Sequence, residues 1–249
     1  MTSPWLLSLA LASAGAPQTP APDPVEAVAA SEPGAALPVE AEGEDEAAQT
    51  ADVVLETDMG AITIRLETRA APITAGNFLR YVDEGRFDGT VFYRAMRVDW
   101  GEQPNGLLQG GTQWDPDRVL PGIAHEATTM TGLSHTRGAV SMAMGEPGTA
   151  NGDFSIMLGD QTGLDANPQS DDPVWQNGYA VFGYVIDGMD VVEVIHASPI
   201  DPAKGEGWMV GQMLAEPVTI IAARRAEPAG DTAAVGEEAG EASAQDAPG

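Results

Sequence analysis

Cysteine is absent from the 249 residues, which excludes disulfide scaffolds, thiol nucleophiles and thiolate metal sites together. Positive charge is scarce. Ten arginines and one lysine, Lys204, stand against 38 acidic residues, for a formal net charge of −27. A chain this acidic repels polyphosphate and anionic lipid surfaces, so no nucleic-acid partner is expected. Long apolar runs are missing too. None approaches the roughly 20 residues of a membrane-spanning helix, so no membrane insertion is expected.

Several chemistries fail on spacing. His125 precedes Glu126, but no histidine lies four residues on, so the zinc-protease pattern is broken. His135 and His196 stand apart from any Glu-x-x-His or His-x-His neighbour. The Ser134-His135 pair lacks a Gly-x-Ser-x-Gly elbow, and scattered Ser, His and Asp do not define a triad. Asp160, Asp165, Asp171 and Asp172 form a polar stretch without EF-hand spacing or its terminal Glu. Gly205 and Gly207 lack the third glycine of a dinucleotide loop. These failures point away from metal and cofactor, and none is expected.

What is present is unevenly spread. Residues 1–51 hold eight acidic residues and no basic one, and residues 226–249 hold six and none. Both are poor in large apolar side chains, so neither buries enough surface to offset the entropy of ordering. Within the first, Trp5 to Ala12 is a short apolar stretch followed by Ser13-Ala14-Gly15-Ala16, the form of a signal peptide with a small-residue cleavage site. It lacks a basic residue ahead of the apolar stretch. The expected organisation is a signal peptide over 1–16, a disordered acidic linker over 17–51, one domain over 52–225 and a disordered acidic tail over 226–249. A periplasmic or secreted location follows from the signal.

The central domain is rich in strands. Val53–Thr57 and Ala61–Leu66 flank Asp58-Met59-Gly60, and Ile62, Ile64 and Leu66 alternate with Ala61, Thr63 and Arg65, the period of a half-buried strand. Pro72 opens a helix whose Ala75, Phe78, Leu79 and Val82 share a face, with Gly85 placed to end it. Further strands are expected at Thr90–Met96, Leu107–Gly110, Ala139–Met144, Phe154–Leu158, Ala180–Ile186 and Val218–Ala222. A second helix is expected over Met189–His196. Eight strands and two helices with Gly-rich loops indicate a mainly antiparallel β class, and eight strands can close into a barrel filled by side chains.

A set of short segments carries the functional signal. Asn77-Phe78-Leu79 lies on the first helix. Phe87-Asp88-Gly89-Thr90-Val91-Phe92-Tyr93-Arg94 ends on an arginine beside aromatics, and Leu107-Leu108-Gln109-Gly110-Gly111 sets a glutamine before two glycines. Thr136 to Ala143, Gly152-Asp153-Phe154-Ser155-Ile156 and Tyr179 to Val185 complete the set. In this order they resemble the cyclophilin family of peptidyl-prolyl cis-trans isomerases, from about Val53 to Ile221.

The resemblance implies a closed eight-stranded antiparallel barrel capped by two helices, with an extended Xaa-Pro segment bound in a groove on its outside. It makes Arg94 the catalytic residue. It puts Phe92, Leu107, Gln109, Met142, Ala143, Phe154 and Tyr179 at substrate-binding positions, with Gln109 in the groove, Leu107 at the pocket and Ala143 as a backbone contact. Unfolded or proline-containing polypeptides are the implied partners, and a monomer the expected state. The chain departs from the family pattern at several places. Met96–Gly106 is an inserted loop, Gly106-Leu107 replaces Phe and Met or Val, Asp153 replaces Gln, and Ser155 replaces the pocket phenylalanine. Trp100 and Trp114 are the candidates to rebuild the missing aromatic walls. A chain that kept the groove but lost useful catalysis would be a peptide-binding module or holdase, the alternative reading.

The implied chemistry suits these residues. Rotation about a peptide bond faces a barrier of about 18–20 kcal/mol, because the nitrogen lone pair is shared with the carbonyl. In the twisted state that pair localises on the prolyl nitrogen, where a guanidinium can donate to it more strongly than in the ground state. Arginine keeps its charge and holds its donors in fixed geometry.

Overall fold

The computed structural model describes residues 49–226. The expected signal segment, most of the linker and the tail beyond residue 226 lie outside the described residues. The first hairpin forms as its alternation demands. β1 (Ala51–Thr57) and β2 (Gly60–Leu66) pair antiparallel from Ala51 opposite Leu66 to Thr57 opposite Gly60. Val53, Leu55, Ile62, Ile64 and Leu66 turn to one buried face.

The remaining strands are β3 (Thr90–Arg97), β4 (Gly106–Gly111), β5 (Ala139–Met142), β6 (Asp153–Met157), β7 (Val181–Asp187), β8 (Ile200–Asp201) and β9 (Met213–Arg225). Their order is β1-β2-β7-β5-β6-β4-β3-β9, and pairing of β1 with β9 closes the ring. The result is the closed eight-stranded antiparallel barrel. The two-residue β8 pairs only with the start of β9 and stands outside the ring.

Helix α1 (Pro72–Asp83) and helix α4 (Met189–Ala197) match the two expected helices. Two short ones, α2 (Thr128–Thr131) and α3 (Pro173–Asn177), are additional, being too short for a 3.6-residue period to show. The last strand begins at Met213 rather than Val218. Pro217, which lacks a backbone N–H, separates a first stretch paired with β8 and, at Met213, with β3 from a second paired with β1 and β3.

The core fills the barrel. Phe78 of α1 lies with ring centroids 4.8 Å from Phe87, 5.3 Å from Phe154 and 5.1 Å from Phe182. Phe92 joins through Phe154 at 5.9 Å. All five phenylalanines of the chain thus sit in one cluster.

Candidate active site

A break in strand periodicity builds the site. Phe92 points into the barrel, and strict alternation would send Arg94 in after it. Phe92 instead pairs with Gly110 while Arg94 pairs with the adjacent Gln109, leaving Tyr93 as an extra residue. The pairing with β9 breaks at the same step, with Phe92 opposite Val218 and Arg94 opposite Met213. This bulge turns Arg94 to the outer wall, and Ala95 returns to the core.

On that wall four polar residues fall in register across four strands: Arg94, Gln109, Ser155 and Ser141. One step along lies an apolar row of Met96, Leu107 and Met157. It belongs to a second hydrophobic cluster, separate from the core, with Ala139 and Val181 buried and Leu133, Leu164 and Tyr184 packed against it. The guanidinium thus lies in register beside an apolar row in which Leu107 and Met157 are buried and Met96 is half-buried.

Arg94 is 4% exposed and its donors are largely committed. Nη1 donates to Gln109 Oε1 at 2.6 Å. Nε and Nη2 both donate to Gln212 Oε1, at 2.9 and 2.7 Å. The Trp208 ring lies over the guanidinium, 4.5 Å from its carbon. Burial lowers the Arg94 pKa below the ordinary guanidinium value, opposed by Tyr93 and Tyr179 nearby.

Gln109 is held from its other end. Its Nε2 donates to the Tyr93 hydroxyl at 2.8 Å, and that hydroxyl donates to Asp153 Oδ1 at 3.1 Å. Burial, then the Asp153 charge, pushes the Tyr93 phenol far above its usual value, so it remains a donor. Asp153 also accepts from the Thr112 hydroxyl and from the backbone N–H groups of Gln113 and Trp114. Burial raises its carboxyl above the usual range, against the pull of these hydrogen bonds. Gln113 and Trp114 have φ of 53° and 54°, a region non-glycine residues adopt at a cost, and Asp153 fastens both. A chain of hydrogen bonds therefore runs from the buried carboxylate of Asp153 through Tyr93 and Gln109 to Arg94.

The structure places Arg94, Gln109 and Leu107 on one wall of the barrel and three other residues of the expected set elsewhere. Phe92, Met142 and Phe154 are buried in the barrel interior, because the period of two turns them inward and their neighbours outward. They shape the strands from within rather than lining the outer wall. Ala143 is half-buried, with its N–H donating to the carbonyl of Asp153. Tyr179 is half-buried and makes an edge contact with Trp175 at 6.4 Å.

The missing aromatic at Gly106 has a backbone cause. Its φ is +125°, and a Cβ there would lie 2.0 Å from the Met96 carbonyl oxygen, so no side chain fits. Gly111, the second of the pair after Gln109, is as constrained, with φ +126° and a Cβ position 2.2 Å from the Gly152 oxygen. Trp100 and Trp114 lie exposed, on the inserted loop and on the turn fastened by Asp153. The ring over Arg94 is Trp208, which motif reading missed. Its one legible signal is an aromatic in a Gly-rich loop, Gly205 to Gly211.

The histidines are structural. His135 Nδ1 lies 2.6 Å from Asp165 Oδ1, and its Nε2 lies 2.9 Å from the Ser141 hydroxyl. This is the connectivity of a hydrolytic triad, but His135 and Ser141 are both buried and no acyl group can reach the serine. His125 faces the carbonyl of Asn177, and His196 that of Met96. Among the described residues, no group of three or more His, Asp or Glu is placed to hold a metal ion.

A closed antiparallel barrel with an arginine and an apolar row on its outer wall is the arrangement that the resemblance implies. Comparison with known proteins agrees. Residues 52–224 match the family of cyclophilin type peptidyl-prolyl cis-trans isomerases/CLD. A peptidyl-prolyl cis-trans isomerase of Acinetobacter baylyi is 38% identical over 151 residues, 59% of this chain and 72% of the relative. Peptidyl-prolyl cis-trans isomerase B of Escherichia coli is 34% identical over 152 residues, 57% of this chain and 82% of the relative. A cyclophilin type isomerase from Cryptosporidium parvum shares the fold, with a TM-score of 0.52 and 19% identity over 72% of this chain and 99% of that one. The chain belongs to the cyclophilin-type peptidyl-prolyl cis-trans isomerases, enzymes whose substrates are proline-containing peptides.

Proposed function

We propose that Arg94 is the catalytic residue of this isomerase and that Gln109 and Leu107 hold the substrate beside it. The observation that carries this reading is the bulge at Tyr93, which spends a strand irregularity on turning Arg94 outward next to the apolar row. The prolyl ring rests on that row. The guanidinium donates to the prolyl nitrogen as the bond twists, an interaction that strengthens only on approach to the transition state. Arg94→Ala is expected to lower kcat/KM by roughly 10²-fold or more, with ground-state peptide affinity changing less. Arg94→Lys should rescue little, because a single ammonium does not reproduce the planar fork. Isomerisation of an Ala-Pro peptide in a protease-free assay measures both. A rate within about threefold of wild type for Arg94→Ala would remove Arg94 from the reaction. An inactive wild type over many Xaa-Pro peptides would leave a peptide-binding module or holdase.

The enzyme works on unfolded or extended polypeptides, as a monomer and without a nucleic-acid partner, in the periplasm or outside the cell. The apolar stretch Trp5–Ala12 with its small-residue boundary supports export. No helix among the described residues is long and apolar enough to cross a membrane. The exported chain should begin near Gly15 to Gln18 by mass spectrometry, and an intact Met1 recovered from the cytoplasm would refute export.

A further inference from the structure

Three facts converge on the segment between β8 and β9. The Trp208 ring covers one face of the Arg94 guanidinium at 4.5 Å, yet the residue is 69% exposed. Gln212 accepts from two Arg94 nitrogens and in turn donates from its Nε2 to the Trp208 carbonyl at 2.9 Å. Arg94 thus commits three of its five N–H donors, one each on Nε, Nη1 and Nη2, and retains one on each Nη nitrogen. The outer wall carries no aromatic side chain at Gly106 or Ser155, and an aromatic ring lies on the arginine itself.

We propose that Trp208 is the aromatic wall of the groove, a substrate-contacting residue that packs on the proline of the bound peptide, and that Gln212 is a positioning residue that fixes the plane of the Arg94 guanidinium. The Trp208 assignment rests on the geometry around Arg94. The Gln212 assignment also rests on the catalytic reading of Arg94 above. An exposed indole is rigid and apolar on its faces, the surface that proline-rich segments use in aromatic-lined grooves. Stacked on a cation, it is held in place before substrate arrives. Gln212 works differently. Its single oxygen takes one N–H from each of two nitrogens, so the guanidinium cannot rotate about its last bond without losing both contacts. The free N–H on each Nη nitrogen then keeps a constant direction.

The two roles separate in kinetics. Trp208→Ala should raise KM, and the Kd for an Ala-Pro peptide measured by calorimetry, about tenfold while kcat stays within threefold. Trp208→Phe should restore most of the affinity. Gln212→Ala should lower kcat about tenfold with KM within twofold, and Gln212→Glu, which keeps an acceptor oxygen, should recover most of that rate. Both positions are at the surface segment rather than in the core, and circular dichroism checks that each variant is folded. A Trp208→Ala Kd within twofold of wild type overturns the wall, and an unchanged kcat for Gln212→Ala overturns the positioning role. Arg94→Ala, run alongside, tells the two readings apart. If it keeps the wild-type rate, the catalytic reading falls and Gln212 with it, while the Trp208 affinity still decides the wall. If it loses the rate and the other variants do not change, only this inference falls.

Discussion

At the scale of single residues, the geometry of the site depends on buried groups bonded behind Arg94 and Gln109. Gln109 could turn its amide either way, but the donor-only guanidinium of Arg94 and the Tyr93 hydroxyl together fix the choice. A hydroxyl committed as donor to Asp153 can only accept from Gln109, so the Gln109 oxygen must face Arg94. Tyr93→Phe removes one of these two constraints and the partner of Gln109 Nε2. A hydrogen bond of this kind contributes about 1 kcal/mol, so kcat/KM should fall roughly threefold to tenfold. The isomerisation assay on the folded variant measures it, and an unchanged rate would mean that Gln109 is oriented without Tyr93. Arg94, Gln109 and Leu107 were legible in the sequence because each sits in a short motif with a fixed neighbour. Phe92, Met142 and Phe154 sit in the same motifs, and motif alone does not say which side of a strand faces the barrel. Tyr93, Trp208 and Gln212 are not legible, since what marks them is contact with Gln109 or Arg94, up to 118 positions away.

At the scale of elements, α1 illustrates what a linear reading misses. Pro72 and the spacing of Ala75, Phe78, Leu79 and Val82 give the helix and its buried face. Ala71, at the N-cap, has no side chain to cap with. The cap comes instead from Glu126, whose carboxylate accepts from the Ile73 and Thr74 N–H groups and the Thr74 hydroxyl. A buried carboxylate at a helix N-terminus satisfies orphan donors and meets the positive end of the dipole. Glu126→Ala should therefore cost about 1–3 kcal/mol, seen as a lower urea midpoint with the slope preserved. A loss below about 0.5 kcal/mol would mean that solvent caps the helix equally well. The bulge in β3 was equally hidden, because the alternation of Phe92 and Arg94 reads as one face.

At the scale of the whole molecule, the buried histidines set a dependence on acidity. Burial holds His135 and His196 below the ordinary imidazole value of about 6.5, despite the Asp165 carboxylate beside one and the Met96 carbonyl beside the other. The unfolded chain takes up protons there that the folded protein refuses. Stability is therefore full above that value and falls as pH drops through it. Asp153 acts in the opposite sense, since its raised carboxyl favours the folded state as it becomes protonated, but from a lower starting value. Melting temperature should decline between pH 7.5 and about 5.5, and His135→Gln with His196→Gln should flatten that slope. An identical slope in the double variant would assign the effect to other groups. The barrel itself is legible from strand count and alternation, because eight strands have few ways to hide their edges.

The division of aromatics between inside and outside has an optical consequence. Every phenylalanine lies in the barrel, whereas Trp100, Trp114, Trp175 and Trp208 are all exposed. These four indoles are already 43–69% exposed in the folded protein and lie outside its core, so their emission carries less information about whether the barrel is intact than a buried indole would. Their light reports instead on what touches the surface.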